Sequence, residues 1–300
     1  MSDIRPPEAV VVVVGGGTMG AGIAQRFVQS GYQVFCVEIE ESRAAETTQV
    51  VNRNLRRWAT KLGRPEAYEA AWSHLQVVVD VPPNVDPELV VETVPEIDSL
   101  KRSVLANYSA RFRRAILATN TSALSIDDLA TSVTGPDRFL GMHFFNPVPV
   151  SNLLEVVRGS QTSPDALTSA HRHAHRLSLT PVEVRDSPGF ATSRLGIAIG
   201  LEAIRMVEEM VASPEEIDTA MVLGYRLPIG PLDLSDRVGL DVRLAIAENL
   251  YRRLGERFRP PDLLRSMVLD GLLGAKTGKG FYTWVDGTKV LVASTARQTS

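Results

Sequence analysis

The hydrophobic pattern of the chain opens on five consecutive valines, Val10–Val14. A short β-branched apolar run predicts a strand buried on both faces. Ile23, Phe27 and Val28 then recur at helical spacing, and Gln33–Val37 is a second apolar run. A long polar helix is predicted over Ser42–Leu62. Further strands are read at Leu75–Val79, Leu89–Val94, Ala115–Ala118, Phe139–Phe144, Leu153–Val157 and Val182–Val184. Helices fall between them: from Leu100-Lys101 to about Arg111, a short one capped by Ser125, and one over Pro164–Leu177. Alternating strands and helices imply a mostly parallel sheet with right-handed crossovers. Asp186-Ser187-Pro188-Gly189 breaks the alternation, and the pattern beyond it is helical. It comprises an apolar run at Phe190–Val211, a capped start at Ser213-Pro214-Glu215-Glu216, then Leu240–Leu254 and Pro261–Leu269. An extended stretch follows at Gly280–Trp284, and Val285–Ser300 has no periodicity. The predicted organisation is therefore a parallel-sheet domain over residues 1–187, an all-α domain over 188–284, and a loose tail over 285–300.

The first strand runs into Gly15-Gly16-Gly17-Thr18-Met19-Gly20, which fits G-x-G-x-x-G and leads into a helix. In that setting Gly15 permits a tight turn and Gly17 lets backbone approach a pyrophosphate. Gly20 permits close helix–strand packing, and the helix N-terminus, with Thr18 and Met19, offers amides to the phosphates. The second strand ends in Glu38, about 20 residues further on, where a carboxylate accepts ribose hydroxyls. The first domain is thus predicted to be of Rossmann type and to bind a dinucleotide. Glu38 favours NAD over NADP, since a carboxylate repels a 2′-phosphate; Arg43 softens that repulsion.

Composition changes little in this picture but excludes some classes. The chain has 300 residues, is 44% hydrophobic and 22% charged, and carries a net charge of −3. Nothing in this balance points to nucleic acid or an anionic membrane. No apolar run approaches spanning length and the N-terminus has no signal-peptide pattern. The single cysteine, Cys36, permits no internal disulfide, in keeping with a reducing cytoplasm. The apolar Phe190–Val211 helix in a small domain predicts a homodimer through the C-terminal part.

The candidate chemistry lies around His143, in a strand-then-turn setting. Oxidising a secondary alcohol needs a base for the hydroxyl proton and a hydride acceptor close to the carbon. Histidine suits the base role near neutral pH. Glu155, across a proline turn, is suited to hold the imidazole in one tautomer. The stretch Gly141-Met142-His143-Phe144-Phe145-Asn146-Pro147-Val148-Pro149 with Leu153–Val157 strongly resembles the signature of the 3-hydroxyacyl-CoA dehydrogenase family. Glu92–Glu96, Thr119–Ser122, Asp186–Phe190, Asp218–Met221, Gly230–Leu232 and Lys276–Tyr282 extend the resemblance over nearly the whole chain, closest to the short-chain, 3-hydroxybutyryl-CoA branch.

The resemblance implies NAD as cofactor and a small acyl-CoA as substrate. It implies catalytic roles for His143 and Glu155 and a hydrogen bond from Ser122 to the reacting oxygen. By the same route Glu96, Lys101 and Asn146 fall near the nicotinamide half of the cofactor, and Asn54 and Lys61 near the CoA portion. The chain departs from the pattern at Ser193, where the family usually has the asparagine that faces substrate and nicotinamide; serine is shorter and lacks the amide. Related activities left open are oxidation of a 3-hydroxy group on a carrier-protein thioester or on a free hydroxy acid, and a non-catalytic nucleotide-binding role. His171, His173 and His175 alternate in a predicted helix, but no carboxylate or cysteine nearby completes a metal set, and no metal is assigned.

Overall fold

The structure, a computed structural model, describes residues 9–290. They divide into two compact units with the boundary between Ser187 and Pro188. The first unit contains β1 (Val10–Val14), α1 (Thr18–Gln29), β2 (Gln33–Val37), α2 (Glu41–Leu62), α3 (Glu66–Trp72), β3 (Leu75–Val78) and β4 (Leu89–Glu92). It continues with α4 (Asp98–Arg111), β5 (Ile116–Thr119), α5 (Ile126–Ala130), β6 (Phe139–Phe144), β7 (Leu153–Arg158), α6 (Pro164–Arg176) and β8 (Thr180–Arg185). The eight strands form one sheet in the order β3-β2-β1-β4-β5-β6-β7-β8. All neighbours are parallel except β6 and β7, which are antiparallel.

Val11, Val12, Val13 and Leu89–Val91 are wholly buried, as strands covered on both faces require. Strand order reverses between β1 and β4, and ligands of such sheets bind outside the carboxyl ends of the strands at that point. The carboxyl ends of β1, β4, β5 and β6 share one edge, and the antiparallel β7 begins there. Asp186 joins the first unit to itself: its Oδ2 accepts from Ser125 Oγ at 2.6 Å and from the Asp127 amide at 2.9 Å. Ser125 in turn caps α5 through the Asp128 amide.

The second unit holds α7 (Thr192–Glu208), α8 (Pro214–Gly224), α9 (Pro231–Val238), α10 (Leu240–Leu254), α11 (Asp262–Leu269), β9 (Thr283–Val285) and β10 (Thr288–Val290). Its core is built on Ile197, Leu201, Ile204, Leu232, Leu240 and Leu250. Two buried carboxylates organise it. Asp218 accepts from the Leu232 and Asp233 amides at the start of α9, 2.8 Å each, and from the Tyr282 hydroxyl. Asp236 accepts from the Phe281 and Tyr282 amides and from Trp284 Nε1.

Two features differ from the sequence reading. The second unit is not wholly helical, because β9 and β10 form an antiparallel hairpin. Residues 285–290 therefore do not belong to a loose tail. Asp286 and Gly287 both take positive φ, 48° and 74°, as a two-residue type I′ turn demands, and an Asp-Gly pair supplies it. Residues 291–300 lie outside the described residues. The strand read at Val182–Val184 extends over six residues, since at the sheet edge none of its side chains is fully buried and the apolar signal is weak.

Candidate functional site

The glycine loop follows β1 directly. Gly15 has φ +98°, a region that disfavours side chains. A side chain at Gly20 would collide with the Gly15 carbonyl, its Cβ only 1.7 Å from that oxygen. A Cβ at Gly17 would meet nothing within 4 Å, so the backbone there faces open space. Gly17 begins α1 without any side-chain cap, which leaves the first amides, around Thr18 and Met19, for a ligand.

Glu38, just after β2, accepts the Gly16 amide at 2.7 Å. It lines a cavity of about 200 Å³ with Gly16, Gly17, Thr18, Arg43 and Thr47. Its two oxygens retain acceptor capacity for hydroxyl groups. A bare glycine cradle, an uncapped helix and a carboxylate at the mouth fit a dinucleotide with a free ribose diol.

His143 and Glu155 are direct partners in the antiparallel register of β6 and β7. Opposed residues of such a pair share a face, so the two side chains meet. His143 Nδ1 lies 2.7 Å from Glu155 Oε2, with Glu155 fully buried and His143 8% exposed. An ionised carboxylate accepts only, so beside a charged Glu155 the Nδ1 atom is the donor of this pair. The Phe145 ring packs against the imidazole, centroids 4.4 Å apart.

Ser122 lies in the loop after β5, and a chain of charged groups fixes that loop. The carboxylate of Glu96 accepts from Thr121 Oγ1, from the Ser122 amide at 3.1 Å and from the Ala123 amide at 3.3 Å. Its other oxygen lies 3.4 Å from Lys101 Nζ. Lys101 is wholly buried; its ammonium donates to Glu92 at 2.9 Å and to the Asn120 carbonyl at 3.3 Å. Glu92, also wholly buried, accepts in addition from Thr119 Oγ1 at 2.6 Å and from the Val94 amide. Burial pushes the Glu92 carboxyl up, while Lys101, Thr119 and the Val94 amide oppose that shift. Asn120 Oδ1 accepts the Phe144 amide at 3.0 Å and so ties this loop to the strand of His143.

Sequence reading missed Glu92 as a functional residue and treated Lys101 only as a cofactor neighbour. The available signal was an acid ending an apolar strand with a lysine nine positions later.

Asn146 is exposed just beyond β6. Asn54 and Lys61 lie on α2, seven residues apart and hence on one face, with Arg57 between them. Ser193 occupies the first turn of α7, in the second unit.

The profile of the 3-hydroxyacyl-CoA dehydrogenase NAD-binding domain matches residues 10–187, and that of the C-terminal domain matches residues 189–284. A probable 3-hydroxybutyryl-CoA dehydrogenase of Deinococcus radiodurans is 40% identical over 274 residues, covering 91% of this chain and 99% of that protein. The mitochondrial hydroxyacyl-coenzyme A dehydrogenase of Rattus norvegicus is 38% identical, covering 91% of this chain and 90% of its own. The crystal structure of (S)-3-hydroxybutyryl-CoA dehydrogenase from Ralstonia eutropha superposes with a TM-score of 0.88 at 37% identity, covering 93% of this chain and all of the other. With both domain profiles matched in order along the chain, on a glycine cradle and a buried His–Glu pair, this protein belongs to the 3-hydroxyacyl-CoA dehydrogenase family and carries its NAD-binding domain.

Proposed function

We propose that the protein interconverts (S)-3-hydroxyacyl-CoA and 3-ketoacyl-CoA of short acyl chain, with NAD as the redox partner. The observation that carries this reading is the buried contact of 2.7 Å between His143 Nδ1 and Glu155 Oε2. Glu155 holds the imidazole so that Nε2 faces the substrate, and Nε2 takes the hydroxyl proton as C3 becomes a carbonyl carbon. Glu155 stabilises the resulting imidazolium, the orienting role of a carboxylate in a triad. Ser122 donates to the reacting oxygen from a loop that Glu96 and Lys101 hold in place. When bound, NAD would supply the hydride acceptor for C3. Glu38 and the Gly15–Gly20 loop bind its adenosine and diphosphate, while Glu96 and Asn146 lie toward its nicotinamide half. Asn54 and Lys61 bind the CoA portion, and the exposed basic face of α2 suits its phosphates. Ser193, in the first turn of α7, stands where the family pattern usually has an asparagine that faces substrate.

The expected setting is a cytoplasmic homodimer. The second unit exposes Leu195, Ile199, Leu223 and Tyr225, apolar area of the kind that subunits bury against each other. Among the described residues no helix is long and apolar enough to cross a membrane. Light scattering should give twice the 32.7 kDa chain mass.

The test of function is NADH oxidation with acetoacetyl-CoA, longer 3-ketoacyl-CoAs, 3-ketoacyl carrier-protein thioesters and free 3-keto acids. Fast turnover of the short CoA thioesters is the expected result. Turnover confined to carrier-bound or free acids would overturn the CoA assignment.

A further inference from the structure

Helix α2 buries one stripe of side chains, Ala44, Thr47, Val51, Leu55 and Ala59, and Thr47 is its one polar member. It is 4% exposed. A hydroxyl buried in an apolar stripe needs a partner, and Thr47 has two. Its Oγ1 donates to the Gly16 carbonyl at 3.0 Å and lies 3.3 Å from Glu38 Oε1. The same Oε1 accepts the Gly16 amide at 2.7 Å. One carboxylate oxygen is therefore held from two sides, by the glycine loop and by α2. The other, Oε2, takes only the adjoining Ile39 amide at 3.2 Å and keeps lone pairs for a further donor.

These groups are packed without slack. A Cβ at Gly16 would stand 2.5 Å from Thr47 Oγ1 and 2.8 Å from Glu38 Oε1, so loop, strand end and helix close on one another here. All three residues line the cavity of about 200 Å³ beside the glycine loop. Among the described residues lining it, Arg43 is the one cation, about one helical turn before Thr47 and 3.2 Å from Glu46 Oε2. Both side chains of that pair are more than half exposed, so Glu46 holds Arg43 only weakly. A 2′-phosphate entering this mouth meets a carboxylate while Glu38 stays in place, and a guanidinium once Glu38 swings aside.

We infer that Thr47 is a positioning residue for cofactor choice. Its hydroxyl clamps Glu38 against the Gly16 backbone, which leaves Oε2 for the ribose diol and keeps the carboxylate where it repels a 2′-phosphate. The inference rests on the reading of Glu38 given above, and Thr47 acts through Glu38. Without the hydroxyl, Glu38 Oε1 keeps the Gly16 amide alone and the side chain gains freedom to turn. The cost then falls on NADH, while NADPH gains access to Arg43.

The test is direct binding in the absence of substrate: fluorescence titration of NADH and of NADPH on the wild type, Thr47→Val, Thr47→Ser and Glu38→Ala. The ratio of the NADPH Kd to the NADH Kd should narrow by about threefold in Thr47→Val, the scale of a single hydrogen bond. It should stay at the wild-type value in Thr47→Ser, which keeps the hydroxyl. In a Glu38→Ala background Thr47→Val should narrow the ratio no further, since residues that act through one another do not add. Both Kd values raised by the same factor would make the hydroxyl structural only and overturn the proposal. So would a Thr47→Val ratio equal to that of the wild type, or a Thr47→Ser ratio as narrow as that of Thr47→Val. Thr47→Ala carries the same expectation should the valine variant not fold. A ratio left unchanged by Glu38→Ala overturns the reading of Glu38 itself, whereas a ratio narrowed by Glu38→Ala and untouched by Thr47→Val overturns only the role of Thr47.

Discussion

Two histidines are buried in the N-terminal unit, and their partners are of opposite kind. His143 stands on β6 against the Glu155 carboxylate, placed there by strand register. His173 stands on α6, its Nδ1 2.8 Å from the Tyr32 hydroxyl and its ring beside those of Tyr32 and Phe27. Burial, then the neighbouring Arg172 and Arg176, push the His173 imidazole down to about 4, so it stays neutral. A carboxylate partner lets an imidazole cycle a proton, whereas a phenol and two guanidinium groups hold it in one state. Residue type and burial are shared; in the proposed reading the charge of the partner separates a base from a packing residue.

The contrast breaks most sharply under substitution. His143→Ala should cut acetoacetyl-CoA turnover by roughly a hundredfold to ten-thousandfold, the range of general acid–base catalysis. His173→Gln should leave turnover per folded molecule unchanged. Steady-state kinetics on samples matched for folded fraction checks both, and a collapse of activity in His173→Gln would erase the distinction.

The buried Glu92–Lys101 pair supports the Ser122 side of the site as the β6–β7 register supports the His143 side. Lys101→Met leaves a carboxylate buried without its cation, which costs about 3–5 kcal/mol. Urea unfolding should show that loss, and the folded fraction should show a lowered kcat as Glu96 and the Ser122 loop come free. Glu92→Gln combined with Lys101→Met should recover much of the stability but not the kcat. Recovery of both would make the pair structural only.

His173 predicts a pH dependence of stability with a definite sign. Its folded value lies below the usual 6.5, so between those values the unfolded chain binds a proton that the folded chain refuses. Stability is intact above pH 6.5, falls as pH drops toward about 4, and by then has lost at most about 3 kcal/mol. Thermal unfolding across this window should fall less steeply for His173→Gln than for the wild type. Parallel slopes would remove His173 as the cause.

The smallest expected effect is at Glu38. NADH should be preferred over NADPH by about tenfold, or 1.4 kcal/mol, and Glu38→Ala should narrow the ratio. Equal use of both cofactors by the wild type would contradict the reading of Glu38.

The elements that announced themselves in the sequence are those whose signal is local. The glycine loop sits between an all-valine strand and a helix, and β6 and α10 have the bounds that their apolar spacing predicts. His143 and Glu155 were legible as a pair because one short proline turn separates two strands. The Glu92–Lys101–Glu96 clamp was not, since its partners come from β4, α4 and the loop after β5 and meet only when the sheet is assembled. Helix α9 was read only as part of a family motif; it is short, and its start depends on the Asp218 carboxylate, 14 residues earlier.

The central claim, that His143 works as a base because Glu155 stands charged behind it, is tested most directly by Glu155→Gln. The amide keeps the shape and a hydrogen bond but removes the charge that favours the imidazolium. Turnover of acetoacetyl-CoA should fall by about a hundredfold or more, while NADH affinity by fluorescence titration should barely move, because the proposed seat of the cofactor's diphosphate and ribose is Gly15–Gly20 and Glu38. Near-normal turnover of Glu155→Gln across about pH 6 to 9, the range in which histidine changes charge, would contradict the account.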